Sequence, residues 1–276
     1  MNGSTLVSTE ALSRNLGRWR IFDCRHDLAN PDLGERQYRE SHIPGALFAH
    51  LERDLSAART GRNGRHPLPD RGAFIAWLGQ QGLQPADQAV CYDAGNGAMA
   101  ARLWWMLRWA GHLQAAVLDG GLAKWLAEKR PVTSDAPRFP YSRYPVKPAV
   151  AATVQVEDIE QALPHMFLLD ARAPVRFRGE QEPIDPVAGH IPGASNRFNA
   201  QNLAPDGTFR DPASLKAELQ GILGERKPSE VVHYCGSGVA ACHNLLAMEI
   251  AGLPGGKLYA GSWSEWSADP KRPVGR

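Results

Sequence analysis

The sequence has few cysteines, little excess charge of either sign and only short apolar runs. Its 276 residues include four cysteines, and 31 lysines and arginines nearly balance 29 aspartates and glutamates, for a formal charge of +2. Four cysteines in so long a chain exclude a disulfide scaffold. A net charge this close to zero, with both signs interspersed, argues against charge-driven binding of nucleic acids or membrane surfaces.

The apolar runs also argue against a membrane span. A run such as AAVL at 115–118 falls far short of the roughly 20 residues that a membrane helix needs. The N-terminal segment MNGSTLVSTEAL has no charged stretch followed by an apolar one. A hydrophobic share of 43% is nevertheless sufficient for packed cores and excludes disorder as the main state. We therefore expect a soluble, cytoplasmic protein of about two domains.

The most informative feature of the sequence is an internal repeat with a long period. The segments FDCR, SHIPGAL, AVCYDAGNGAMAARLWWML and LDGGLAKWL of the first half reappear in the second half. There they read, in the same order, LLDAR, GHIPGAS, VVHYCGSGVAACHNLLAM and LYAGSWSEW. Matched landmarks lie 141 residues apart for Trp125 and Trp266, and 148 apart for His42 and His190. Four matched segments in one order predict two copies of one unit.

A proline-rich stretch separates the two copies. Residues 131–150 carry prolines at positions 131, 137, 140, 145 and 148, and proline at this density favours an extended chain. The sequence therefore predicts a first domain at 1–130, a linker at 131–149 and a second domain at 150–276.

Within each copy, short apolar runs alternate with helical patterns. AVCY at 89–92 and VVHY at 231–234 are typical of buried parallel strands, and each precedes an apolar helical pattern, at 97–110 and 240–251. The alternation indicates an α/β fold. We expect a small parallel sheet with helices on both faces, made twice.

The loop that follows VVHY has the features of a reactive site. In open α/β sheets, sites form where the carboxyl ends of strands meet helix starts. This place in the second copy is occupied by Cys235-Gly236-Ser237-Gly238-Val239-Ala240. The glycines let successive N–H groups converge on one point, and a helix starting near Ala240 adds further N–H groups. Cys235 is therefore predicted to be a nucleophilic thiolate, and the backbone of Gly236, Gly238, Val239 and Ala240 to bind substrate.

Two structural interpretations of Cys235 compete with this prediction. Free cysteines are often buried as small apolar side chains, but Asp93 stands at the matching place in the first copy, so the unit folds without a cysteine there. His233, Cys235, Cys242 and His243 are all metal-ligand types, but their spacing fits no common zinc pattern. We therefore expect no metal site, and a first copy without a nucleophile.

The paired HIPGA elements, the Cys235 loop and GSWSEW near the end resemble the tandem-domain rhodanese sulfurtransferases over nearly the whole chain. The loop CGSGVA is similar to the CGSGVT of the members that use 3-mercaptopyruvate, and differs from it only in Ala240. The resemblance implies that Cys235 takes sulfur from this small-molecule donor, releasing pyruvate. A Cys235 persulfide would then pass the sulfur to a thiol acceptor such as thioredoxin. No organic cofactor is implied.

The resemblance also implies supporting residues in the first half of the chain. In these enzymes a serine two residues after the cysteine acts with a histidine and a carboxylate of the first domain. The matching residues here are Ser237, His66 and Glu52, with Asp54 as an alternative to Glu52. A carboxylate that orients a proton-transferring imidazole is common in acid–base catalysis.

The donor's carboxylate is assigned by the same resemblance to Arg176, in the segment DARAPVRFRG, because a guanidinium group matches a carboxylate. The mercaptopyruvate enzymes have a further arginine downstream, where this chain has Ile184 and Asp185. The second cationic contact is therefore absent, or is supplied by Arg178, Arg197 or an arginine of the first domain.

Three other functions stay open. Thiosulfate:cyanide sulfurtransferases carry cations beside the cysteine, whereas positions 236–240 here are uncharged, which favours mercaptopyruvate. Cysteine-dependent phosphatases and arsenate reductases hold an oxyanion with an arginine where this chain has Ala241. A non-enzymatic sulfur carrier or regulatory module would be favoured by loss of the cysteine, which the second copy retains.

Overall fold

The computed structural model describes residues 5–276, apart from the side chain of Pro164, so Met1–Ser4 of the N-terminal segment lie outside the described residues. The chain forms two compact units. The first comprises Met1–Ser56, Pro69–Val150 and Pro205–Phe209. The second comprises Ala57–Leu68, Ala151–Ala204 and Arg210–Arg276. Each unit thus includes a short segment from the other half of the sequence, and the domain boundaries drawn at 130 and 150 stay a prediction.

The first unit is built on a five-stranded sheet in the order β1-β5-β4-β2-β3, with every pair of neighbours parallel. The strands are β1 (Leu6–Val7), β2 (Arg20–Asp23), β3 (Ala46–Phe48), β4 (Ala89–Tyr92) and β5 (Ala115–Leu118). The helices are α1 (Thr9–Ser13), α2 (Leu33–Glu40), α3 (Arg71–Gln80), α4 (Ala98–Trp109) and α5 (Gly121–Ala127).

The second unit repeats this plan in a parallel sheet of order β6-β10-β9-β7-β8. The strands are β6 (Ala152–Thr153), β7 (Phe167–Asp170), β8 (Ser195–Asn196), β9 (Val231–Tyr234) and β10 (Lys257–Leu258). The helices are α6 (Val156–Ala162), α7 (Pro174–Phe177), α8 (Pro212–Leu223), α9 (Ala240–Ile250) and α10 (Ser262–Trp266). Single turns of 3-10 helix lie at Leu163–His165, Asn199–Asn202 and Pro228–Glu230.

The two central strands are the runs that the sequence analysis singled out. All four residues of β4 and all four of β9 are buried, as expected for parallel strands inside an α/β unit. The helices α4 and α9 follow them as predicted, and the predicted α/β fold, made twice, is confirmed. The longest described helices, α4 and α8, have 12 residues each, and none of the described helices has both the length and the hydrophobicity to cross a bilayer.

A buried ion pair marks the same place in both units. Arg25 donates to Asp23 after β2, and Arg172 donates to Asp170 after β7, each with an Nη2–Oδ2 distance of 2.7 Å. Each arginine also donates to the carbonyl group that precedes the HIPGA histidine. Paired and hydrogen-bonded in this way, the buried charges tie the HIPGA turn to the carboxyl end of the strand.

His233 is a buried histidine in the second sheet. It lies on β9, is inaccessible to solvent, and neither ring nitrogen has a hydrogen-bond partner among the described residues. Its ring lies against Gly256, where an added β-carbon would come within 3.0 Å of Nε2. Burial lowers the pKa of His233 to about 3, so the imidazole is neutral in the folded protein.

We expect His233→Leu to stabilise the second unit, and to do so more strongly at acid pH. Leucine avoids the cost of an unpaired buried polar group, about 1–3 kcal/mol. The unfolded chain protonates His233 below a pH of about 6.5, but the folded chain does so only near pH 3. The wild-type free energy of unfolding therefore falls by about 1.4 kcal/mol per pH unit between these values, relative to the variant. Urea unfolding at about pH 7.5 and about pH 5 measures both effects. The prediction would be contradicted if the difference in free energy of unfolding between His233→Leu and the wild type were the same at both pH values.

Candidate active site

Cys235 lies between the carboxyl end of β9 and the start of α9, where the sequence analysis placed it. Its side chain is buried, with 3% exposed. The Gly238 N–H donates to Cys235 Sγ over 3.2 Å, which is the kind of contact that stabilises a sulfur anion. Val239 and Ala240 follow directly, and α9 begins at Ala240 with its N-terminal N–H groups beside the loop. The loop is therefore shaped to hold a negatively charged group at the cysteine.

Gly238 gives this loop its curvature. Its φ of +75° is a conformation that residues with a β-carbon rarely adopt. A β-carbon there would also lie 2.4 Å from the carbonyl oxygen of Ala260. The second glycine of the loop is therefore required both by its backbone conformation and by the close approach of the neighbouring chain.

The motif GSWSEW comprises Gly261 and the whole of α10, and it contacts the loop from one side. The N–H groups of Trp263 and Ser264 donate to the carbonyl oxygens of Cys235 and Gly236, each over 2.9 Å. Ser262 Oγ accepts from the Cys235 N–H over 3.1 Å, and Ser262 holds a φ of +56° to do so. A left-handed conformation at a serine is strained, and here it places the hydroxyl against the backbone of the cysteine.

The matching loop of the first unit already contains an anion. The Asp93 carboxylate accepts from the N–H groups of Gly95, Gly97, Met99 and Ala100 at 2.9 to 3.2 Å. Burial raises the pKa of Asp93 above its ordinary value, and these four donors oppose the rise. The repeated loop therefore binds negative charge in the first unit through backbone N–H groups.

His66 belongs to the second unit through the segment Ala57–Leu68. Its Nδ1 lies 2.8 Å from Ser237 Oγ, and both side chains are buried, with 2% and 6% exposed. The predicted histidine–serine pair is thus brought together from residues 171 positions apart. A hydroxyl hydrogen-bonded to an imidazole can pass a proton, because each group both donates and accepts.

The carboxylates predicted to assist His66 lie in the first unit. The Glu52 side chain is half-buried, and the backbone N–H of Glu52 donates to His50 Nδ1 over 3.2 Å. Asp54, the alternative, accepts from the His50 N–H over 2.8 Å and lies 3.5 Å from Arg53 Nε. Asp54 therefore already has partners in its own turn, and the assignment of Glu52 stays a prediction.

Arg176 lies beside the loop in a cluster of charges. It donates to Glu182 through Nη2 over 2.6 Å and through Nε over 3.2 Å, and to Asp185 over 3.2 Å. Burial alone would raise the pKa of the Glu182 carboxyl, but the Arg176 guanidinium group and nearby backbone N–H groups hold it below its ordinary value. Glu182 is thus an ionised partner that fixes the guanidinium group of Arg176.

Asp185, which with Ile184 stands where the family resemblance implies a further arginine, also pairs with Arg65. Arg65 was not among the residues that the sequence analysis named. Its position within the predicted first domain, 1–130, left it open as a source of the second cationic contact, and its place next to His66 was the only further signal. Of the named alternatives, Arg178 is half-exposed and pairs with Glu180, and Arg197 is buried and pairs with Glu218 over 2.7 Å.

The other potential metal ligands near the loop contact separate residues. Cys242 Sγ donates to the Gly238 carbonyl oxygen over 3.3 Å, and His243 Nδ1 lies 3.1 Å from Asn202 Nδ2. His233 lies against Gly256.

In the first unit, burial raises the pKa of the Cys24 thiol well above its ordinary value, so that cysteine is a neutral core residue.

Comparison with known proteins agrees with this architecture. The rhodanese-like domain family matches the chain twice, at residues 8–128 and 154–269. A probable 3-mercaptopyruvate sulfurtransferase from Pseudomonas aeruginosa is 46% identical over 280 residues, covering 99% of each chain. A thiosulfate sulfurtransferase from Mus musculus is 33% identical over 283 residues, covering 95% of this chain and 91% of that protein. The structure of 3-mercaptopyruvate sulfurtransferase from Leishmania major has a TM-score of 0.88 and 32% identity, covering 99% of this chain and 77% of that one.

The fold and the site define a repeated α/β protein that has a cysteine in the anion-binding loop of one unit and an aspartate in the other. The chain belongs to the rhodanese family. The resemblance drawn from the HIPGA elements, the cysteine loop and GSWSEW is confirmed.

Proposed function

We propose that this protein is a sulfurtransferase that moves sulfur from 3-mercaptopyruvate to a thiol acceptor through a persulfide on Cys235. The observation that carries the proposal is the contact of the Gly238 N–H with Cys235 Sγ at the start of α9. A sulfur anion at this place is stabilised by fixed dipoles before and after transfer. The names of the relatives from Pseudomonas aeruginosa and Leishmania major support the choice of donor.

In the first step the Cys235 thiolate attacks the sulfur of the donor. A sulfur–sulfur bond forms, the carbon–sulfur bond of mercaptopyruvate breaks, and its electron pair leaves on carbon as pyruvate enolate. The enolate takes up one proton and is released as pyruvate. The outer sulfur stays on Cys235 as a persulfide, whose charge the loop N–H groups stabilise as the Asp93 charge is stabilised in the first unit.

Ser237 and His66 are proposed to move the proton of this step. The hydroxyl of Ser237 is hydrogen-bonded to His66 Nδ1 and lies two residues after the nucleophile, within reach of an enolate held there. His66 restores the proton that the hydroxyl gives up. Glu52 is proposed to orient the imidazole, as the family resemblance implies.

In the second step the thiolate of an acceptor attacks the outer sulfur. A sulfur–sulfur bond forms on the acceptor, which becomes a persulfide, the sulfur–sulfur bond to Cys235 breaks, and Cys235 is released as a thiolate. A small dithiol protein such as thioredoxin is the proposed acceptor, and the cytoplasm the proposed location. Neither step needs an electron donor besides the acceptor thiol. In each displacement the attacking thiolate supplies the electron pair of the new bond, and the pair of the broken bond stays on the leaving group.

Donor preference tests the proposal. We expect kcat/KM for 3-mercaptopyruvate to exceed that for thiosulfate by about tenfold or more, because no residue of the loop itself carries the positive charge suited to a dianion. The measurement is pyruvate release with the first donor and thiocyanate or persulfide formation with the second. A higher kcat/KM for thiosulfate would assign the chain to the other sulfurtransferase class, for which the cations of Arg65 and Arg176 beside the loop are the favouring observation.

A further inference from the structure

Two arginines from distant parts of the sequence converge on the cysteine loop of the second unit. A β-carbon added to Gly236 would lie 2.7 Å from Arg65 Nη2 and 3.7 Å from Arg176 Nη1. These two nitrogens therefore lie directly over the residue that follows Cys235. Arg176 is the arginine that family resemblance assigns to the donor, whereas nothing in the family pattern assigns Arg65.

A buried carboxylate holds the two guanidinium groups side by side. Asp185 Oδ1 accepts from Arg65 Nη1, and Asp185 Oδ2 accepts from Arg176 Nη2. The Asp185 side chain is 3% exposed, whereas those of Arg65 and Arg176 are 20% and 17% exposed. The aspartate is thus more deeply buried than either arginine. Arg65 binds it through Nη1 and presents Nη2 toward Gly236, whereas Arg176 has both Nη1 and Nη2 3.7 Å from the added β-carbon.

The backbone of Arg65 is fixed to the same loop. Ser264 accepts from the Arg65 N–H through Oγ over 3.0 Å and donates its own N–H to the carbonyl oxygen of Gly236. Next to it, Gly64 has a φ of +82°, and an added β-carbon would lie 2.7 Å from the Gly261 carbonyl oxygen. The segment that carries Arg65 is therefore seated against α10 through hydrogen bonds and close packing, and not by the arginine side chain alone.

We propose that Arg65 is the second arginine that binds the donor's carboxylate, with Asp185 as a positioning residue that sets the spacing of Arg65 and Arg176. The inference rests on the proposed function, since it takes a carboxylate-bearing donor as given. An aspartate at position 185 then does not remove the second cation from the site, because Arg65 supplies it instead. The family resemblance implies a second positive charge from an arginine downstream of Arg176. Here we propose that this charge comes from Arg65 in the segment Ala57–Leu68, and that Asp185 holds the Arg65 guanidinium group in place.

Arg65→Gln tests the assignment, with Arg62→Gln as a matched control that removes the same charge from an exposed position three residues earlier. We expect Arg65→Gln to raise KM for 3-mercaptopyruvate about 10- to 100-fold with little change in kcat, on the scale of a lost charge-assisted hydrogen bond. Arg65→Lys, which keeps the charge but not the planar fork, should give an intermediate rise. Arg62→Gln should leave KM unchanged.

A donor without a carboxylate separates binding from folding. With 1-sulfanylpropan-2-one, which keeps the ketone and the thiol, Arg65→Gln and the wild type should have equal KM values. An equal rise with both donors, or no rise with mercaptopyruvate, would overturn the role of Arg65 while wild-type turnover still upheld the proposed function. A wild type that released no pyruvate would instead remove the proposed function.

Asp185→Asn tests the positioning role. The variant should raise KM for mercaptopyruvate in the wild-type background. It should raise KM less when Arg65 is already glutamine, because the part of its effect that passes through the contact with Arg65 is then already lost. Equal, additive effects of Asp185→Asn in both backgrounds would show that Asp185 does not act through Arg65.

Discussion

Replacing Cys235 with serine should abolish sulfur transfer and leave the fold intact. The hydroxyl of serine is far less acidic than a thiol and does not form a persulfide, so the covalent intermediate is lost. Removal of a covalent nucleophile lowers turnover by about 10⁴-fold or more. The fold should tolerate the change because the first unit builds the same strand, loop and helix around Asp93.

The mass of the protein after exposure to 3-mercaptopyruvate gives the direct readout. The wild type should gain one sulfur atom on the peptide that contains Cys235, and the serine variant should gain none. Cys242→Ser is the matched control, since its side chain is also buried near the loop and a hydroxyl can still donate to the Gly238 carbonyl oxygen. Sulfur transfer that persisted in Cys235→Ser, or that disappeared in Cys242→Ser, would contradict the assignment of the nucleophile.

The contrast between the two loops explains why one unit is proposed to react and the other not. In the first unit a carboxylate permanently satisfies four backbone N–H groups, so the anion site is occupied by the protein itself. In the second unit the cysteine side chain is shorter, and among the described residues its Sγ accepts from the Gly238 N–H. A persulfide is one sulfur longer than cysteine, so its outer sulfur would reach further N–H groups of such a loop.

The sequence was sufficient to predict the fold because the relevant signals are local. The runs AVCY and VVHY are mostly apolar, their loops are rich in glycine, and the order of landmarks is the same in both halves. Strand, loop and helix could therefore be placed within each copy. The position of Cys235 before α9 followed from the same pattern.

The charged surroundings of the loop could not be predicted in this way. Arg65 and Asp185 are 120 residues apart, and their pairing depends on the segment Ala57–Leu68 joining the second unit. No periodicity reports such a contact, because neither residue lies in a helix or strand. His66 was found only through family resemblance, for the same physical reason. The unpaired ring of His233 was equally hidden, since a histidine in an apolar run gives no indication of whether its nitrogens find partners.

The second large effect is expected at His66. His66→Asn should lower kcat by about 10²-fold or more with little change in KM, because an amide can keep the hydrogen bond to Ser237 but cannot take up and return a proton at neutral pH. Ser237→Ala should lower kcat by a similar factor. If the two side chains transfer one proton as a unit, the double variant should be scarcely slower than either single variant.

His190→Asn is the control that separates proton transfer from packing. His190, of the second HIPGA element, lies in the same unit, is also hydrogen-bonded through Nδ1 and can take the same substitution. Its partner, however, is the carbonyl oxygen of Phe177 at the end of α7. An asparagine amide can still donate there, so kcat should be unchanged. Equal losses in His66→Asn and His190→Asn would mean that kcat reports the packing of the unit. Multiplying effects of His66→Asn and Ser237→Ala would mean that the serine and the histidine act independently, and the proposed proton path through their 2.8 Å contact would then be wrong.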